Sequence, residues 1–169
     1  QIAQPYIQQL QQQMNCGLQI SKWTAAGPVI VQCLESRQAV SVITRVGSYM
    51  PLLNSATGRL YAAYLPDTLI RPLLEQEWQQ APEHRPQNWD EFLILKAHIK
   101  LQGFASVEGE LLAGGNAVCV PVFNQYGEIE FAITALDSSQ NLPIDPEHDT
   151  LKAMLDTAQQ LTQLLSRTA

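Results

Sequence analysis

Apolar residues along the chain change spacing several times, and each change predicts an element. Ile7, Leu10 and Met14 keep a helical stripe after Pro5, so residues 1–14 read as a glutamine-rich lead-in helix that Gly17 stops. From Leu18 to Thr24 apolar and polar residues alternate as in a half-buried strand, and Ala25-Ala26-Gly27-Pro28 reads as a turn. Val29 to Glu35 gives a second strand and Ala39 to Val46 a third, joined by the polar link Ser36-Arg37-Gln38. Links this short exclude a parallel return, which needs about a dozen residues, so the three strands form an antiparallel meander.

The stretch from Met50 to Leu65 organises the rest of the chain: an approach loop running into a helix. Pro51 ends the preceding strand, Asn54 or Ser55 can cap the helix, and Thr57, Leu60, Tyr61 and Tyr64 form its buried stripe. Gly58 and Ala62, four apart, let another backbone come close. A second short helix runs from Thr68 to Trp78, Gln79 to Gln87 is a loop with two prolines, and a third helix starts at Asn88 or Asp90. Phe92, Leu95 and Ile99 are its buried face, and Gly103 stops it. Phe104 to Val107 is a short strand, and Glu108 to Gly115 a glycine-rich excursion. Asn116 to Asn124 and Glu128 to Asp137 form a hairpin closed at Gln125-Tyr126-Gly127. Both hairpin strands are apolar on both faces, so they lie mid-sheet or line a cavity, and Pro121 predicts a bulge in the first of them. The last helix starts near Pro146, with Leu151, Leu155, Ala158, Thr162 and Leu165 as its stripe, widened by Met154, Leu161 and Leu164. The fold class is α+β: one domain over residues 1–169, with a single antiparallel sheet of about six strands flanked by helices on both sides.

Charge and chemistry narrow the function. The 169 residues carry a net charge of −6 with scattered Lys and Arg, which argues against a nucleic-acid surface on this domain. No run of about eighteen apolar residues is present, so no membrane-spanning helix is expected. Cys16, Cys33 and Cys119 are odd in number, far apart and without C-x-x-C spacing, which favours a reduced, cytoplasmic setting. His84, His98 and His148 have no nucleophile or metal partner at a suggestive spacing, so no catalytic residue, metal site or cofactor is assigned. Trp23, Trp78 and Trp89 read as core or interface anchors. What remains is the helix start at Ala56 and Thr57: small, uncharged, with first-turn amides facing the interior, a place for a carboxylate.

The segment Pro51-Leu52-Leu53-Asn54-Ser55-Ala56-Thr57-Gly58-Arg59-Leu60 resembles the small-residue block of IclR-type bacterial transcriptional regulators. The run Gly103-Phe104-Ala105, with Glu110, Gly114 and Ala117-Val118-Cys119-Val120-Pro121-Val122-Phe123, is similar to that family's second block. The order of elements is also that of GAF-like sensing domains. The resemblance implies a C-terminal effector-binding domain, not an enzyme, forming a homodimer or tetramer. DNA would be contacted only through a winged helix-turn-helix preceding residues 1–14. It also implies a small carboxylate-bearing effector held by the amides of Ala56 and Thr57, with Val107, Ala117, Thr134 and Leu136 lining the sheet side. Leu53 of the approach loop and Cys119 of the first hairpin strand complete the candidate set. Thr134 and Leu136, two apart on one strand, share a face by spacing alone. Family members that bind small oxo acids carry polar side chains at the positions of Val107, Ala117 and Leu136, so an effector with a more apolar body is expected here. Gly115 departs from the aliphatic residue usual in the family and loosens the adjoining loop. Two other readings stay open: a GAF-like redox enzyme using Cys33 and Cys119, and a pure dimerisation module.

Overall fold

The computed structural model describes residues 2–35, 45–109 and 115–167. Five helices and five strands are laid out in the order α1 (Gln4–Gln13), β1 (Gly17–Thr24), β2 (Gly27–Leu34), α2 (Ala56–Tyr64), α3 (Asp67–Gln80), α4 (Trp89–Gln102), β3 (Ala105–Glu108), β4 (Gly115–Phe123), β5 (Ile129–Ser138) and α5 (Asp149–Arg167). The strands make one antiparallel sheet in the order β2-β1-β5-β4-β3. The expected count of about six becomes five among the described residues. The third strand expected at Ala39–Val46, with its link at 36–38, falls largely outside them. Of that strand Arg45 and Val46 are described, and Val46 lies in a turn. Beyond that turn Tyr49 makes an isolated bridge to Val29, and Met50 N–H donates to the Pro28 carbonyl at 2.9 Å, so the approach loop leaves along the β2 edge.

Local chemistry sets the ends of the elements. Pro5 stands in the first turn of α1, whose Ile7 and Leu10 are buried, while Gly17 opens β1 instead of merely ending the helix. Asn88 Oδ1 accepts from Glu91 N–H at 2.9 Å to start α4, and Gly103 ends it at φ 86°, a left-handed conformation that glycine adopts without steric cost. The expected bulge is displaced from Pro121: that residue pairs in register with Ala132, and the irregularity falls between Val122 and Phe123. β3 begins with Ala105 opposite Cys119, so Pro121 lies beyond its first residue, where a donor aimed to that side has no ladder partner to lose. α5 begins at Asp149, later than expected, with Leu151, Met154, Ala158 and Leu161 as the centre of its buried face.

Both faces of the sheet are covered. Leu18, Ile20, Val118, Val120, Ile133 and Ala135 pack towards α1 and α5. The alternate positions Ala105, Val107, Ala117, Cys119, Ala132 and Leu136 pack towards α2 and Ile99 of α4. A third cluster under α3 and α4 holds Leu52, Leu53, Ala62, Ile70, Leu74 and Phe92, and it fixes the approach loop.

Candidate functional site at the start of helix α2

The approach loop is bound on several sides. Ser55 is the α2 cap: its Oγ accepts from Gly58 N–H at 2.8 Å and donates to the Pro51 carbonyl at 2.7 Å. A Cβ on Gly58 would overlap the Pro51 carbonyl oxygen and lie 2.6 Å from Leu52 Cα, so the backbone that glycine admits is its own incoming loop. From α3, the Glu77 carboxylate accepts from Leu52 N–H at 2.8 Å and Leu53 N–H at 3.0 Å. Burial pushes the Glu77 carboxyl above its ordinary value, against the opposing pull of those two amides and of nearby His84. Arg59 donates from Nε to the Leu53 carbonyl at 2.7 Å, from Nη1 to Ser106 at 3.1 Å and from Nη2 to Arg85 at 3.0 Å, tying loop, α2 and β3 together.

With these bonds made, the amides of Ala56 and Thr57, the first two residues of α2, have no acceptor among the described residues. Both residues are almost wholly buried. Their direction follows from the strand register. Thr57 Oγ1 meets Thr134 Oγ1 of β5 at 2.6 Å, and one turn later Tyr61 Oη donates to the Ser21 carbonyl of β1 at 2.7 Å. Ser21 pairs with Ala132, two residues before Thr134, so α2 runs across the sheet away from Leu136. First-turn N–H groups point backwards along a helix axis. Here they point to the next row of the sheet, Val107–Ala117–Leu136, whose members are paired in register. That row keeps 4%, 6% and 7% of its surface accessible, while Ala105, Cys119 and Ala132 of the rows under the helix keep none.

The structure therefore brings together seven of the eight residues expected from the sequence. Leu53 stands apart: its side chain belongs to the α3–α4 cluster, its amide is held by Glu77 and its carbonyl by Arg59. Cys119 is in the Thr134 row, its thiol hydrogen-bonded to Thr134 and Thr57 and pushed by burial up to about 12. That row reads Ala105–Cys119–Thr134–Gln19–Cys33 across the five strands. Cys33 is thus three strand spacings from Cys119, roughly 14 Å. A disulfide bridges Cα atoms no more than about 7 Å apart, so the two do not form a redox pair. Trp23 stacks near Tyr61 at 5.9 Å, Trp89 packs on Phe92, and Trp78 Nε1 donates to the Pro86 carbonyl, so all three act as anchors. His98 is exposed and His148 Nδ1 accepts from Thr150 N–H. Among the described residues no cluster of three metal-ligating side chains occurs, and no helix is long and apolar enough to cross a membrane.

Sequence reasoning missed two residues, Gln19 and Glu77. Gln19 is 5% exposed, pairs with Thr134 and so faces α2, and its Oε1 has no hydrogen-bond partner. A central position for β1 was the signal needed, because alternation along an edge strand leaves every second residue to solvent. Glu77 sits among polar helix residues, and nothing local marks it as a loop clamp.

The family described as "Bacterial transcriptional regulator IclR C-terminal" matches residues 1–163. The chain is 29% identical over 130 residues to the DNA-binding transcriptional repressor YiaJ of Escherichia coli (strain K12), covering 73% of the chain and 45% of that protein. It is 26% identical over 135 residues to the Pca regulon regulatory protein of Pseudomonas putida, covering 78% and 46%. The chain spans about half the length of the curated relatives it matches. Among solved structures, Pseudomonas aeruginosa HmgR superposes with a TM-score of 0.86 at 26% identity, over 97% of this chain and 65% of that one. The transcriptional regulator YaiJ gives 0.87 at 25% identity, over 99% and 95%.

Proposed function

The chain belongs to the bacterial IclR C-terminal family, and from that premise we propose that it is the effector-sensing, self-associating part of a transcriptional regulator. In this reading a carboxylate sits against the Ala56 and Thr57 amides, beside the paired Thr57 and Thr134 hydroxyls. The effector's apolar body lies on Val107, Ala117 and Leu136, with Cys119 as the wall behind. One observation carries the proposal: two buried first-turn amides without an acceptor among the described residues aim at the inner-face row that keeps accessible surface. A helix N-terminus is a ready anion site, and a buried donor left unpaired costs about 1–3 kcal/mol, which a carboxylate recovers.

In this reading DNA is contacted by a part of the regulator outside the matched residues 1–163, in keeping with the net charge of −6 here. The domain acts in the cytoplasm as a homodimer or tetramer, and it catalyses nothing. An effector alters DNA binding only as far as it binds two subunit arrangements unequally. Calorimetric titration with monocarboxylic acids and their neutral amides tests the site: acids bind and amides do not. Operator affinity of the complete regulator with and without a binding acid tests the regulation. Equal binding of acids and amides would remove the amide anchor, and unchanged operator affinity would leave a pocket with no regulatory role.

A further inference from the structure

We propose that Gln19 is a specificity-determining residue of this pocket, reading a hydroxyl group that the effector carries about one strand spacing, roughly 5 Å, from its carboxylate. The inference rests on the carboxylate site at Ala56 and Thr57 and adds to it a second polar contact. Gln19 is the direct cross-strand partner of Thr134, whose hydroxyl meets Thr57 in the first turn of α2. The side chain is therefore on the α2 face of the sheet, one strand beyond the hydroxyl pair. It is 95% buried by its 5% exposure, and its Oε1 has no partner. Asn54 Oδ1 and Asp137 Oδ2 are also buried without partners, but Asn54 belongs to the approach loop and Asp137 lies beside Cys16 on the opposite side of the sheet.

A primary amide in such a place is costly to the free protein, because a buried polar group without a partner keeps its full desolvation penalty. A glutamine there gains nothing from packing that leucine would not supply. The unpaired atom is an acceptor, so it suits a group that can donate to it, such as a hydroxyl. The two rows of the sheet then read two edges of one molecule. Val107, Ala117 and Leu136 meet its apolar side, while Thr134 and Gln19 meet its polar side. A site built to hydrogen-bond a substituent discriminates strongly against the analogue lacking it, since its own group is then left unpaired.

The test uses two matched pairs of probes, butanoate with 4-hydroxybutanoate and benzoate with 3-hydroxybenzoate, titrated calorimetrically into the wild-type chain and Gln19→Leu. At least one hydroxylated acid should bind the wild type tenfold or more tightly than its parent. In Gln19→Leu that preference should vanish while the parent acid binds as before, and the thermal midpoint should stay level or rise. A preference that survives in Gln19→Leu, or equal binding of parent and hydroxylated acid by the wild type, overturns the assignment to Gln19 and leaves the carboxylate site standing. A fall in the thermal midpoint of Gln19→Leu, with no change in preference, makes the residue structural. Failure of all four acids to bind overturns the carboxylate reading and this one with it.

Discussion

Replacing Ala56 by proline separates a filled helix start from an open one. Ala56 is the first helical residue after the Ser55 cap, the position where proline is best tolerated, because its fixed φ matches the helix and its missing N–H would have no intrahelical acceptor. Proline also restricts the residue before it to extended backbone, and Ser55 already has φ −126° and ψ 147°. The fold should therefore accept Ala56→Pro, and the stiffer unfolded chain should stabilise it by about 0.4–1 kcal/mol, or roughly 1–4 °C in midpoint for a chain of this size. Binding should respond oppositely. One of two charge-assisted hydrogen bonds to the carboxylate is lost, worth about 1.5–3 kcal/mol, so Kd should rise by a factor of about 10–150. The Thr57 amide remains, so binding of an acid such as benzoate should be weakened and not abolished, while benzamide should bind neither protein. Thermal melting and calorimetry read the two effects separately. A midpoint lowered by several degrees would mean that the space in front of the Ala56 amide is already packed, and the pocket would be refuted on the spot. A stable variant that binds acids as tightly as wild type would refute the amide anchor instead.

Three further perturbations bear on the frame around the site. Gly58→Ala drives a methyl into the Pro51 carbonyl and Leu52 Cα, backbone that cannot turn aside as a side chain would. Urea unfolding should show a loss of about 3 kcal/mol, the upper end of ordinary overpacking, and an unchanged midpoint would show that the loop does not pack as described. Glu77→Leu strands the Leu52 and Leu53 amides and should cost about 2–4 kcal/mol, whereas Glu77→Gln keeps an acceptor for both and should cost much less. The sign of the pH effect follows from burial raising the folded-state Glu77 pKa above 4.5: its contribution favours folding below that pH and is lost as pH rises through the folded value. Stability curves of wild type should show this loss, and those of Glu77→Gln should lack it. Finally, Cys16 and Cys119, both pushed to about 12 with burial as the largest cause, should resist an aromatic disulfide reagent at pH 8 in the folded chain, while half-buried Cys33 reacts first. Rapid labelling of Cys119 would reopen a catalytic reading.

The course of the chain was legible where apolar spacing is unambiguous. Val118, Val120 and Val122 alternating with Ala117 and Cys119 announce a strand covered on both faces, and the structure covers them with α5 on one side and α2 on the other. The helix start was legible because Ser55 has the chemistry of a cap and Gly58 the size of a close contact. Sequence could not say whose backbone comes close, and the answer, the helix's own approach loop, depends on how the chain bends over residues 52–54. Strand register was less legible: β-branched runs indicate extended chain, but pairing is decided by partners distant in sequence, and the register of Pro121 is kept by β5, not by its own neighbours.

Gln19 shows why the candidate site was only partly readable. In Leu18-Gln19-Ile20-Ser21 the alternation is that of a strand with one face in water, and on an edge strand Gln19 and Ser21 would be solvated. β1 instead lies between β2 and β5, so both of its faces are covered and the polar face is turned inward beneath α2. Ser21 is satisfied there by the Tyr61 hydroxyl, whereas the Gln19 oxygen is not. Placement in the sheet turns an ordinary alternation into a pair of buried polar groups. The one the fold leaves unsatisfied is the one placed beside the Thr57–Thr134 hydroxyls.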